Sequence, residues 1–406
     1  MELVINNYRY SVSQPLGGGG EGEIYPLNND YVVKVYHSDM LNDERQQKVL
    51  SLCNAYQSNM SQLGGDSFAF PQYEAYENQA IFQSIVGFSM SYFKNCFPLP
   101  DLNYDLNTEQ FRTAGKFDDR QAIEFIYQMF DLLERLHKSR IVLGDVNPNN
   151  ILCDFSSSKP KPVFIDLDSA QFGQFYCAPA FSEDYIDPLV VQQGKNPNGS
   201  YMYSSESDVF SLSCISYYFF CGSHPFNLRS RPPSDIVENK QRGISLIRCC
   251  RGDGVNYLHS LGIEYLPKPN EKVEKRIETL ANLDKNLADF FISVFVRNER
   301  DNLVYSLPMN DARNPRSAFF RESGFGDVIE REKKKREMAK LENLQKNSKK
   351  QILSHRLDKM GISDILSKLS GKTKNQLKKQ FYQDPVELTL FLNHYGLDCK
   401  ELFQSV

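Results

Sequence analysis

Four short stretches of this 406-residue chain carry residues suited to handling a phosphate. The first is GDVNPNN at 144–150, set between apolar IVL and ILCDF. An acid opening a short loop can accept a hydroxyl proton while a phosphoryl group moves, and an amide oxygen five residues on can ligate Mg²⁺. Asp145 and Asn150 have that spacing, and Pro148 stiffens the turn between them. The second is FIDLDSAQF, where alternation puts Asp166 and Asp168 on one face and either could hold a divalent ion. The third is Lys34 in YVVKVYH, opposite Val33 and Val35, where it could reach nucleotide phosphates. Such a lysine needs an acid to hold it, and Glu44 is the only Glu in the helix expected next. The fourth is Gly17-x-Gly19-x-x-Gly22, whose backbone could approach phosphate closely. Taken singly, each has a plain structural reading: an Asx-rich turn, acids at a strand end, a solvated edge lysine and a flexible glycine turn.

The elements around these groups fall into two halves. Residues 4–36 read as strands punctuated by glycine, so the glycine pattern caps a hairpin rather than joining a strand to a helix. A helix is expected from about Asp43 to Tyr56, followed by the strand-like FAFPQYEAYE and AIFQSIVGFSM. From about Asp118 the texture changes. QAIEFIYQMFDLLERLHKS repeats apolar residues at helical spacing, and IVLGDVNPNNILCDF and VFIDLD read as strand–turn–strand pieces. SDVFSLSCISYYFFCG is apolar nearly all round and predicts a buried helix; residues 268–300 predict further helix.

Composition limits the class. The apolar fraction, 41%, is that of a globular protein. The nine cysteines form no CxxC pair and no zinc-spaced cluster, which points to a reducing, cytoplasmic setting. MELVINNYRY lacks the pattern of a signal peptide. The longest strongly apolar run, CISYYFFCG, falls well short of the ~20 residues a membrane helix needs, so no membrane partner is expected. The formal charge of −4 is uneven: residues 329–379 hold about 16 Lys/Arg against about 6 Asp/Glu, so the rest is acidic.

Together, in this order and spacing, the four stretches resemble the protein kinase family over about residues 8–305. Gly17–Gly22 resembles its phosphate loop, and VVK its phosphate-pairing lysine. LHKSRIVLGDVNPNNIL resembles its catalytic-loop region, with Asp145 on the catalytic Asp and Asn150 on the metal-binding Asn. FIDLDSA resembles its metal-binding DFG segment, with Asp168 as that acid and Ser169 and Ala170 after it. SDVFSLSCISYYFFCGSHPF resembles the buried helix that anchors the catalytic loop through Asp208, a feature small-molecule kinases normally lack. Departures are Leu143-Gly144 for the usual His-Arg, Asn147 for the loop lysine, and no clean counterpart of the APE motif, APAFSEDYIDP being its rough neighbourhood. GDxNPxN with DxDS is similar to a branch of bacterial kinases that often carry helix-hairpin-helix modules.

The resemblance implies an α+β, bilobal kinase fold, strand-rich then helical, over residues 1–310. It implies ATP and Mg²⁺ (or Mn²⁺) as cofactors, a protein Ser/Thr substrate, and autophosphorylation at Ser169, Tyr176, Ser182 or Tyr185. Asp145, Lys34, Asn150 and Asp168 are the implied catalytic residues, Asn150 and Asp168 the metal ligands. Gly17, Gly19, Gly22, Lys34, Glu44 and Met90, in the interlobe segment Gly87–Phe93, would bind nucleotide. The competing reading is a nucleotide-binding pseudokinase scaffold. Residues 311–351 read as a connector and basic charged helix, and 352–406 as a small α-helical module, with Gly361 and Gly396 placed as in a helix-hairpin-helix. Lysines in 329–406 suit an acidic partner or nucleic-acid backbone.

Overall fold

The computed structural model describes residues 1–300 apart from 59, 61–62, 64–66, 78–83, 107–109, 113–116, 158, 180, 251 and 299; beyond them it describes 364, 367 and 368. The chain divides into two units, Met1–Asn314 and Pro315–Val406. In the second, the described residues Asp364, Ser367 and Lys368 are helical. The expected connector, basic helix and the rest of the terminal module, with boundaries at 310 and 351, lie outside the described residues.

The first unit begins with a seven-stranded antiparallel sheet in the order β2-β1-β6-β7-β5-β4-β3. Its strands are β1 (Glu2–Ile5), β2 (Tyr8–Ser11), β3 (Gly17–Gly18), β4 (Gly22–Pro26), β5 (Tyr31–Tyr36), β6 (Tyr73–Glu77) and β7 (Ile85–Ser91). The alternation in YVVKVY works as expected. Val33 packs with Leu3, Ile5, Val12 and Ala75 on one face, while Tyr36 packs with Val49, Cys53, Ile85 and Phe88 on the other. Lys34 shares the Tyr36 face. Helix α1 (Asp43–Ser58) covers that face and buries Lys48, Val49, Leu52 and Cys53, pairs four residues apart.

The second half is helical. α2 (Asp119–Lys138) opens on a capping box: the Asp118 side chain accepts the Gln121 amide, and Gln121 reaches back to the Asp118 amide. After the short α3 (Pro188–Gln193), α4 (Ser205–Cys221) starts on a second box, Ser204 with Ser207, and stops at Gly222 in the left-handed region. α4 is buried on nearly every side, as its all-round apolar pattern implies. Its serines are tolerated there because they bond inward. Ser211 donates to the carbonyls of Ser207 and Tyr185, and Ser213 to that of Val209. Phenylalanines fill the space around it: Phe219 meets Phe111, Phe117 and Phe125, and Phe295 meets Phe210, Phe226 and Phe291. Residues 268–300 are helical over most of their length, from Pro267–Leu283 through Lys285–Ile292 to Ser293–Arg297.

IVLGDVNPNNILCDF does not close as a hairpin. Ile141–Val142 pairs with Gln171–Phe172, whereas Ile151–Asp154 pairs with Lys161–Phe164 and Cys96–Pro98. The loop at 144–150 therefore crosses between two separate ribbons, both anchored. Among the described residues no helix is long and apolar enough to cross a membrane.

Candidate active site

Asp208, in the first turn of α4, fixes the loop that carries Asp145. Its side chain is fully buried and accepts the amides of Leu143 (2.7 Å) and Gly144 (2.8 Å), and it lies 3.0 Å from His137 Nε2 at the end of α2. A carboxylate held this way satisfies two backbone donors that have no strand partner. Gly144 sits at φ +73°, where a Cβ would come within 2.5 Å of Cys177 Sγ. This explains glycine where the family usually has arginine: the backbone turns left-handed against a packed thiol.

Beyond that turn, Asp145 is half-buried with both oxygens engaged. Asn147 Nδ2 donates to Oδ2 (2.9 Å) and the Ser182 amide to Oδ1 (3.1 Å). Burial raises its pKa above the usual carboxylate range, and those two donors act against the rise. Asn147, standing where the family usually has lysine, thus orients the acid without adding charge. Asn150 Nδ2 donates to the Asp145 carbonyl (3.2 Å), which leaves its amide oxygen for another ligand, and its own carbonyl accepts the Ile165 amide (3.0 Å). That bond ties the Asp145 loop to the residue just before Asp166. A cleft of about 470 Å³ opens beside Asp145 and Asn147, lined also by Arg112, Ser182 and Tyr218.

Lys34 is 6% exposed and gathers three acids. Its Nζ lies 2.7 Å from Asp166 Oδ1, 2.8 and 3.1 Å from the two oxygens of Asp168, and 3.4 Å from Glu21 Oε2. Burial works against its charge, but Asp168, Asp166 and Glu21 outweigh it and raise the pKa. The expected partner Glu44 is not among these acids. It lies exposed in the first turn of α1, and the helix turns Lys48 inward instead. The lysine's acids come from the glycine loop and the 166–168 turn, so the expected Lys34–Glu44 pair is corrected.

The structure separates Asp166 from Asp168. The Asp168 side chain is 3% exposed and fully occupied: Tyr36 Oη donates to Oδ2 (2.6 Å) and Lys34 spans both oxygens. Burial disfavours its charge, yet Lys34 and Tyr36 hold its pKa below the ordinary value. Asp166, at φ +61°, turns left-handed and leaves its side chain 36% exposed. Its pKa rises through burial and the neighbouring Asp168 charge. Asp166 is thus the more open of the two acids, whereas the resemblance pointed to Asp168 as the metal ligand. Glu21, Asp166 and Asp168 bring ligand atoms within 4.8 Å of one another, the one such group among the described residues.

The glycines divide in role. Gly17 and Gly19 are exposed and open, with nothing near a would-be Cβ, whereas Gly22 is buried where a Cβ would meet the Val35 carbonyl at 2.3 Å. Met90 is partly buried against the Tyr36 and Phe88 cluster, opposite Val32 across the β5–β7 pairing.

Several residues of this site were not expected. Glu21, at the tip of the glycine hairpin, bonds Arg45 (2.8 Å) as well as Lys34. Lys48 donates to the Tyr176 carbonyl (3.1 Å), joining α1 to the segment after Asp168. Asp187 pairs with Arg300 at 2.8 Å, both buried, inside the stretch where no clean APE counterpart was found. The only signal for that pair is an acid just before the proline that starts α3.

Comparison with known proteins agrees with this geometry. A family model described as protein kinase domain matches residues 96–300. That span holds Asp145, Asn150, Asp166, Asp168 and Asp208, while Lys34 and the glycine loop precede it. Aurora kinase of Yarrowia lipolytica is 31% identical over 122 residues, 28% of this chain and 29% of that protein. Serine/threonine-protein kinase PknA of Nostoc sp. is 25% identical over 249 residues, 58% of this chain and 41% of that one. G protein-coupled receptor kinase 2 of Caenorhabditis elegans is 25% identical over 251 residues, 56% and 30% respectively. The chain thus spans less than half the length of these relatives. With the matched half containing the anchored loop, its acid and amide, and the buried helix beneath them, the chain belongs to the protein kinase family.

Proposed function

We propose that this chain is a Mg²⁺-ATP-dependent protein kinase that transfers the γ-phosphoryl group to Ser or Thr hydroxyls. The observation that carries the reading is the tie between the two halves of the site. Asp145 and Asn150 are locked to each other and to the strand before Asp166, and Asp166 in turn reaches Lys34 on the sheet. The name of the similar serine/threonine-protein kinase PknA favours Ser/Thr over other acceptors.

In this reading the protein hydroxyl enters the cleft beside Asp145. Asp145 accepts its proton, and Asn147 and the Ser182 amide hold the carboxylate in place while leaving lone pairs for the substrate. Lys34 binds phosphate oxygens from the sheet side, and the open glycines at 17 and 19 let backbone amides approach them. The donor set fits a hard divalent cation: the free amide oxygen of Asn150 and the open carboxylate of Asp166, both oxygen ligands. Bound Mg²⁺ or Mn²⁺ would neutralise charge developing on the phosphoryl oxygens. Glu21 must leave Lys34 and Arg45 for phosphate to take its place, since both carboxylate and phosphate compete for the same cations.

Autophosphorylation belongs to the same proposal. Ser182 lies at Asp145 through its amide, whereas the Ser169 hydroxyl is engaged on the Asp166 carbonyl. The test is transfer of labelled phosphate from ATP to the chain itself or a generic acceptor. Transfer that depends on Asp145 supports the reading. ATP binding without transfer in Mg²⁺ or Mn²⁺ supports the scaffold instead.

A further inference from the structure

Helix α1 presents no acid to Lys34. Its buried face carries Lys48, Val49, Leu52 and Cys53, and its nearest Glu is exposed. A lysine that binds phosphate still has to be held, because a free four-carbon stem samples many rotamers and loses that freedom on binding. In this chain Lys34 meets Asp166 at 2.7 Å and Glu21 at 3.4 Å, but the acid that is itself held by the core is Asp168. Asp168 contacts Lys34 through both oxygens and is 3% exposed. Tyr36 Oη fixes Oδ2 at 2.6 Å, and the Tyr36 ring lies 5.3 Å from Lys34 Nζ and 5.0 Å from the Arg45 guanidinium. Lys48 stands on the inward face of α1, where its Nζ donates to the Tyr176 carbonyl. The charges are thus exchanged: a cation on the helix, an anion on the turn.

We infer that Asp168 is a positioning residue that holds Lys34 toward the nucleotide phosphates in place of a helix acid, with Tyr36 holding Asp168 in turn. It acts through Lys34, while Asp166, which meets Lys34 through Oδ1 alone, keeps its second oxygen for the metal. Rigidity is the gain: the 166–169 turn is closed by the Ser169 and Ala170 amides on the Asp166 and Leu167 carbonyls, so the anchor does not depend on where α1 sits. Contact between α1 and the following segment then rests on Lys48 and Tyr176 rather than on the phosphate-binding lysine itself.

The inference rests on the kinase reading of the same cleft, and the experiment separates the two. ATP affinity is measured by calorimetry on the full chain in EDTA, where no metal contributes, for the wild type, Lys34→Ala, Asp168→Asn and the double variant. A charged hydrogen bond of this kind is worth roughly tenfold or more in affinity. Asp168→Asn is expected to weaken metal-free ATP binding about tenfold, and in the Lys34→Ala background to cost nothing further. The Mg²⁺ concentration giving half-maximal transfer should stay within about twofold for Asp168→Asn and rise about tenfold for Asp166→Asn. Tyr36→Phe removes only the hydroxyl on Asp168; it covers the case where Asp168→Asn does not fold, with an expected loss of about threefold in the same binding. The inference is overturned if Asp168→Asn leaves metal-free affinity intact while raising the Mg²⁺ requirement, if its effect adds fully to that of Lys34→Ala, or if Tyr36→Phe changes nothing. If the wild type binds ATP but transfers no phosphate, the kinase reading fails, and the binding cycle still decides the role of Asp168.

Discussion

Replacing Asp208 with Asn tests how the buried helix governs the chemistry. The carboxylate accepts the Leu143 amide on one oxygen and the Gly144 amide on the other, with His137 Nε2 also at 3.0 Å. An amide side chain has one acceptor oxygen. Whichever way it turns, one backbone N–H must face an NH₂ group. The variant loses a charge-assisted bond worth ~1.5–3 kcal/mol and leaves a buried donor unsatisfied at ~1–3 kcal/mol, so the expected loss of stability is about 3–5 kcal/mol. Urea unfolding measures it. The loop holding Asp145 begins at those two amides, so a displacement near 1 Å should also lower phosphotransfer by about 100-fold in molecules that remain folded. Glu206→Gln is the control: it lies exposed in the same first turn, and its loss should stay under about 1 kcal/mol. Asp208→Asn with wild-type stability and rate would refute the claim that α4 positions the catalytic loop.

Two further outcomes follow from the packing. His224 is buried, its Nδ1 accepts the Phe226 amide, and burial with the nearby Lys240 charge pushes its pKa down from 6.5 to about 3. The unfolded chain takes up this proton near pH 6.5 and the folded chain does not, so stability is lost as pH falls, by about 2 kcal/mol at pH 5; an unchanged difference between pH 7 and pH 5 in His224→Asn would exclude this source. Gly87→Ala places a Cβ 1.9 Å from the Lys34 carbonyl at the last pair of the β5–β7 register, and a loss of about 3 kcal/mol in urea unfolding is expected. A variant with the wild-type midpoint would show that the sheet yields there.

The lesson for reading such a chain lies in which contacts were local. α4 was legible because its apolar run is continuous, and Lys34 because strand alternation names its face. The Asp145–Asn150 spacing was legible because both ends sit in one short turn. Glu44 misled because helical periodicity locates a face but not the depth at which its first turn sits; the buried position went to Lys48. Asp166 and Asp168 share a face in an ideal strand, and what separates them is one left-handed residue at Asp166 itself. Glu21 and the Asp187–Arg300 pair join residues distant in sequence, where no period or motif connects the partners.

The most direct test of the central claim is transfer of labelled phosphate from ATP in Mg²⁺ or Mn²⁺ by the intact chain, beside Asp145→Ala, Asp166→Ala and Lys34→Ala. Label is expected on the chain or an added protein acceptor, stable as phosphoserine or phosphothreonine, and is expected to be lost in all three variants. Equal transfer by Asp145→Ala and the intact chain, or ATP binding that raises the melting temperature with no transfer at all, would contradict it.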